Sequence, residues 1–164
     1  MSLNGVDFSN TGFSFAYYEQ PILDRITPTS GKEQGGSPIY IVGKSNFTKV
    51  DNPDPNEFNC KFTPVSFNMP PRTVPAIYMN NTFIRCQQGG GWGKGGTLRV
   101  QVTFNGQDYD ENNFMYTMFS VYKVYPRSGP YDTIEEEDII IDGAGFTTEN
   151  IPTCRLNGTV YNAT

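Results

Sequence analysis

Four asparagines stand two residues before a threonine: Asn46 in NFT, Asn80 in NNT, Asn157 in NGT and Asn162 in NAT. Asn-x-Ser/Thr is the acceptor motif for N-linked glycans, a chemistry of secreted and surface proteins. Three cysteines, Cys60, Cys86 and Cys154, are the only thiols. They read either as disulfide partners with one left over or as three reduced, buried side chains. There is no histidine. That removes Ser-His-Asp and Cys-His nucleophile pairs and every histidine metal ligand. The acidic stretches Asp51 to Glu57 and Glu135 to Asp138 offer carboxylate oxygens. Neither has the ligand spacing of a calcium loop, and both read as solvated surface. The loop GGGWGKGG, Gly89 to Gly96, lacks the Gly-Lys-Ser/Thr ending of a phosphate loop. It reads as a flexible connection whose Trp92 either packs back or stays open for contact. No catalytic, cofactor-binding or metal residue is assigned. The expectation is a non-enzymatic protein without a cofactor.

The elements that carry these residues are strands. Seventeen glycines and twelve prolines punctuate 164 residues, and no stretch sustains a helical period. Leu98, Val100, Val102 and Phe104 alternate with Arg99, Gln101 and Thr103, the pattern of a half-buried strand. Pro70, Pro71 and Pro75 read as an extended linker of edge character. Aromatics make up 14% of the chain and supply core volume where aliphatics are few. The net charge of −5 disfavours nucleic-acid and anionic-membrane partners, and no apolar run approaches the ~20 residues needed to span a bilayer. The opening MSLNGVDFSN has neither the basic start nor the apolar centre of a signal peptide.

The chain repeats itself. Asn4, Gly5, Asp7, Phe8 and Phe13 fall on Asn105, Gly106, Asp108, Tyr109 and Phe114, each 101 positions on. ITPTSG at Ile26 is echoed by VYPRSG at Val124, PIYIVGKSNF at Pro38 by DIIIDGAGF at Asp138, and CKF at Cys60 by CRL at Cys154. A period near 100 residues is too long for a solenoid unit and suits tandem sandwich domains.

The order of these pieces resembles the IPT/TIG family of immunoglobulin-like domains. An aromatic entry strand leads to Ile-x-Pro-x-Ser-Gly, then Ile-x-Ile-x-Gly-x-x-Asn-Phe, a Cys-Lys-Phe strand, FIRC, a glycine-rich loop and an alternating strand ending in Asn-Gly. The resemblance implies an all-β immunoglobulin-like β-sandwich, one full copy plus a partial second copy. It divides the chain into 1–12, the last strand of a preceding or neighbouring copy; 13–115, a complete domain; and 116–164, the first half of another. It implies a Cys60–Cys86 disulfide, with the partner of Cys154 outside the segment, and it places Asn46 at a turn.

On this reading the chain is a window on a repeating array, cut out of phase with its domains. The expected function is that of an extracellular or cell-surface structural glycoprotein that self-associates head to tail into an array or filament. Glycans are expected at Asn46, Asn80, Asn157 and Asn162. The segment Leu3, Asn4, Gly5, Val6, Asp7 and Phe8 is the expected assembly strand, captured by a neighbour or belonging to one longer polypeptide. No nucleic-acid partner and no membrane insertion within the segment are expected. Two alternatives stand beside this reading: a spacer in a receptor or adhesion ectodomain, and an accessory module of a carbohydrate-active protein.

Overall fold

A computed structural model describes the chain except residues 11, 13–16, 18–19, 21, 45–46, 48–56, 130–137 and 148–150. The described residues are all-β, as the turn density and alternation predict. Eleven strands run in chain order. They are β1 Leu23–Thr27, β2 Ser30–Lys32, β3 Pro38–Gly43, β4 Asn59–Pro64, β5 Arg72–Asn80, β6 Phe83–Gln87, β7 Gly96–Thr103, β8 Phe114–Tyr125, β9 Ile140–Ala144, β10 Thr153–Leu156 and β11 Thr159–Asn162.

One curled sheet follows the order β1-β3-β6-β5-β4-β7-β8-β2 and folds on itself into two layers. The fold-over lies in β5. Its first half, Arg72 to Pro75, pairs with β4, and its second half, Ala76 to Asn80, pairs with β6. Pro75 stands at the changeover, where the lost N–H donor is tolerated because the strand is leaving one ladder for the other. The proline-rich stretch expected as a linker thus ends in a strand shared by both layers. Pro28 has a similar place between β1 of the back layer and β2 of the front layer.

Alternation fills the space between the layers. Ile39 and Ile41 of β3, Ile84 and Cys86 of β6, Cys60 and Phe62 of β4, Leu98, Val100 and Val102 of β7, and Tyr116 and Met118 of β8 form one buried cluster. Phe104 closes one end, with its ring centroid 5.0 Å from Phe58 and 6.0 Å from Phe47. The Cys60–Cys86 disulfide joins β4 to β6 and so ties front layer to back, as the resemblance implies. Its 26-residue separation gives about 3.5 kcal/mol of stabilisation on the chain-entropy model.

The alternation in β7 is less open than the sequence implies. Gln101 and Thr103 point away from the core yet are buried. The chain after β7 folds back over them. Asp110 accepts from the Val102 N–H and donates its own N–H to the Val102 carbonyl, while Gln101 Nε2 donates to the Asp110 carbonyl at 2.7 Å. Burial pushes the Asp110 carboxyl up from its ordinary value, against the opposing pull of the Val102 and Asn112 hydrogen bonds.

The glycine-rich loop is a clamp rather than a flexible tether. Trp92 is buried, edge-on to Phe67 at 5.8 Å between centroids. The Arg72 guanidinium lies 4.4 Å from the indole centroid and donates to the carbonyls of Gly90 and Gly91. A cation held over an indole and fixed by two carbonyls orders the loop from both faces.

Candidate assembly surface

β8 belongs to two structures at once. From Phe114 to Phe119 it pairs with β7 and β2, and along β8 the alternate residues Tyr116, Met118 and Ser120 are buried. From Ser120 to Tyr125 it pairs with β9, and every side chain from Val121 onward is exposed. The division expected at 115/116 therefore falls inside a continuous strand, and the change of environment comes at Ser120/Val121.

The β8–β9 hairpin copies the β1–β3 hairpin. Ile26 faces Ile41 and Val124 faces Ile141; Arg25 faces Val42 and Lys123 faces Asp142; Leu23 faces Gly43 and Val121 faces Gly143. Both ladders slip at the same place, between Leu23 and Arg25 and between Val121 and Lys123. The prolines that follow, Pro28 and Pro126, are both preceded by cis peptides.

Burial separates the two hairpins. Leu23, Ile26, Ile39 and Ile41 are core residues. Their counterparts Val121, Val124 and Ile139 are exposed, and Ile141 is half-buried. Ile39 is 0% accessible and Ile139 is 42%. Strand β3 is flanked by β1 and β6, whereas among the described residues β9 pairs with β8 alone. The free edge of β9 is the edge that β6 occupies on β3. Unpaired N–H and C=O groups beside a bare apolar face make a strand-accepting surface. Sequence reading placed Val124 and Tyr125 in the repeat but assigned no role in assembly to them or to Val121 and Tyr122. The signal was available, since the repeat aligns Val121 and Val124 with Leu23 and Ile26.

This hairpin sits close against the complete sandwich. Gly145 has φ +80, and a Cβ there would lie 1.9 Å from the Met118 carbonyl oxygen. A Cβ on Gly95 would lie 2.7 Å from the Ala144 carbonyl oxygen. Glycine is required at Gly145 by both backbone angle and space.

The expected assembly segment Leu3–Phe8 is a turn, not a strand. Asn4 Oδ1 accepts from the Val6 and Asp7 N–H groups at 3.0 and 2.9 Å, and Asn4 Nδ2 donates to Asp7 at 2.8 Å. Asn105 makes the same three bonds to Gln107 and Asp108, at 3.0, 2.8 and 2.7 Å. The short asparagine side chain captures the N–H groups that a strand would need, so Asn-Gly-x-Asp encodes the same turn at both places, and at Asn105 that turn follows strand β7. Leu3, Val6 and Phe8 are exposed.

Of the four sequons, Asn80 ends β5 and is exposed, Asn157 has φ +46 in the tight turn between β10 and β11, and Asn162 ends β11, also exposed. Asn46 lies outside the described residues, as do most of the acidic stretches at 51–57 and 135–138. Cys154 is free and half-buried on β10, opposite Tyr161. Among the described residues no group of three or more His, Cys, Asp or Glu is placed to hold a metal ion.

No curated protein matches the chain. The family model for the IPT/TIG domain matches residues 21–117, from the approach to β1 through the buried half of β8. This chain therefore belongs to the IPT/TIG family, immunoglobulin-like modules found in extracellular and receptor proteins.

Proposed function

We propose that the chain is a non-enzymatic, extracellular structural module in which immunoglobulin-like repeats join head to tail into an array. The carrying observation is β8, whose first half completes one sandwich and whose second half opens a hairpin of identical register with its apolar face bare. Completing that hairpin takes strands from a neighbouring copy or from further chain. A contact between copies of this kind is heterologous and propagates into an open array when its rotation does not close a ring, whereas further chain would complete the hairpin within one longer polypeptide. The inter-layer disulfide and the surface sequons support an oxidising, secretory setting. Deleting residues 1–8 separates strand capture by Leu3–Phe8 from completion by further chain: filaments that form unchanged without this segment rule capture out.

Sedimentation of the purified chain across a wide concentration range, with electron microscopy of the same samples, tests this reading. The expected result is self-association that Ile140→Asp and Val124→Asp suppress without unfolding the first sandwich. Discrete monomers at every concentration, and no filaments in native material, would sink it. The spacer reading is favoured by the same rigid strand continuity, and monomers with a fixed elongated shape would point to it.

A further inference from the structure

We propose that Asn80 carries an N-linked glycan, and that this sugar covers an apolar patch on the outer face of the back layer. The proposal rests on the extracellular reading above. Asn80 stands at the exposed end of β5, with Thr82 in the turn to β6. Its Oδ1 accepts from the Thr82 N–H at 2.9 Å, the Thr82 hydroxyl at 3.0 Å and the Phe83 N–H at 2.9 Å. With the carbonyl turned inward on the hairpin, Nδ2 is the amide atom left facing out.

The surface beside it is unusual for a finished sandwich. Asn80 and Phe83 are cross-strand partners and so share a face. Ile77 pairs with Arg85 on the same outer side, and Met79 sits at the bulge between Tyr78 and Asn80. Ile77 is 44% accessible, Met79 50% and Phe83 36%. Their neighbours in sequence Ala76 and Ile84 point inward and are buried, which fixes the patch to the outside. Completing the second repeat on β9 would not cover this face, because it lies on the first sandwich opposite its core. The exposed apolar residues near Asn157 and Asn162 differ in this respect, since they belong to the separate two-stranded β10–β11 sheet. A pyranose presents a C–H face that packs on aliphatic and aromatic carbon, and its hydroxyls keep the outer side wet. A glycan anchored at Asn80 is thus of the right chemistry and reach to cover Ile77, Met79 and Phe83.

The covalent step is a glycosyl transfer from a lipid-diphosphate oligosaccharide. Asn80 Nδ2 forms a bond to the anomeric carbon, the bond from that carbon to the diphosphate oxygen breaks, and the lipid diphosphate leaves with the bonding pair. Nδ2 gives up one proton to the transferase base. No oxidation occurs.

The test is to express the full chain through a eukaryotic secretory route and map glycopeptides by mass spectrometry. Asn80 is expected to be occupied, Thr82→Ala to abolish occupancy, and Thr82→Ser to retain it. Enzymatic removal of the glycan is expected to raise the fluorescence of an apolar-surface dye by about twofold, a rise that Ile77→Ser with Phe83→Ser removes. Asn80 bare with Asn157 or Asn162 occupied overturns the proposal and leaves the extracellular reading standing. All sequons bare overturns both. An occupied Asn80 whose removal leaves the dye signal unchanged overturns the covering role.

Discussion

The hairpins β1–β3 and β8–β9 have one register, one bulge and opposite surroundings. Ile39 and Ile41 are sealed inside a sandwich, while Ile139 lies open and Ile141 half-open. The comparison separates two causes that usually act together. Register follows from local sequence: the bulge, the glycine paired with Leu23 or Val121 and the proline after the first strand recur in both hairpins. Burial depends on β4, β6 and β7, strands distant in sequence, and the second hairpin has no counterpart of these packed against it among the described residues.

The sharpest way to break the comparison is a matched pair of truncations. Ile41→Ala should cost about 2–5 kcal/mol, since it opens a cavity in a closed core. Ile141→Ala should cost about 0.5 kcal/mol or less in the unassembled chain. Denaturant unfolding followed by Trp92 fluorescence measures both. Equal costs would show that the two hairpins share one packed environment after all.

The cysteines give the next largest contrast. Cys60→Ala with Cys86→Ala should destabilise by about 3 kcal/mol, and Cys154→Ser by less than about 0.5 kcal/mol. Thermal unfolding with and without reductant reads this directly. A large loss on Cys154→Ser would mean that the thiol has a partner.

Much of this was legible beforehand, for reasons that differ by residue. The alternation from Leu98 to Val102 gave β7 because period two is a local property. The repeat gave the matching hairpins, and the family resemblance gave the Cys60–Cys86 bond. The burial of Trp92 was not legible, since it depends on Arg72, which is distant in sequence and held by loop carbonyls. Nor was the role of Pro75, because only the pairing of β5 with both β4 and β6 turns a linker proline into a crossing point. In the isolated chain Leu3–Phe8 follows the turn at Asn105 rather than the strand before it, because Asn4 and Asn105 capture the corresponding N–H groups. The asparagine in fact marks where that strand stops.

A smaller effect is expected at the junction. Gly145→Ala places a Cβ against the Met118 carbonyl at a positive φ and should cost about 1–3 kcal/mol, localised to the β8–β9 hairpin. Amide exchange should quicken at Ile140 to Ala144 and stay slow in β4 and β7. Uniform loss of protection would show that the hairpin and the sandwich open as one unit.

The smallest effect is in alkaline solution. Burial raises the Tyr116 phenol above its ordinary value, and that of Tyr109 likewise. The folded state therefore prefers these phenols neutral. Their contribution to stability is complete below the unfolded phenol value of about 10, and it is lost as pH climbs from there through the raised folded values. Unfolding free energy should be level with respect to these groups from pH 7 to 9 and decline above 10, with a shallower decline in Tyr116→Phe. An unchanged slope in that variant would remove Tyr116 from the account.

Strand β8 also has a mechanical meaning. A pull on the β9 side of the chain enters the sandwich along the axis of β8, which lies between β7 and β2. The β7 ladder bonds run across the strands, so such a load meets them side by side in shear. They resist together rather than parting one after another as in peeling. Forced extension is governed by the rate of crossing the unfolding barrier. A strand gripped on both sides and covalently continuous with its pairing to β9 passes tension straight into the sandwich with no slack joint on the way.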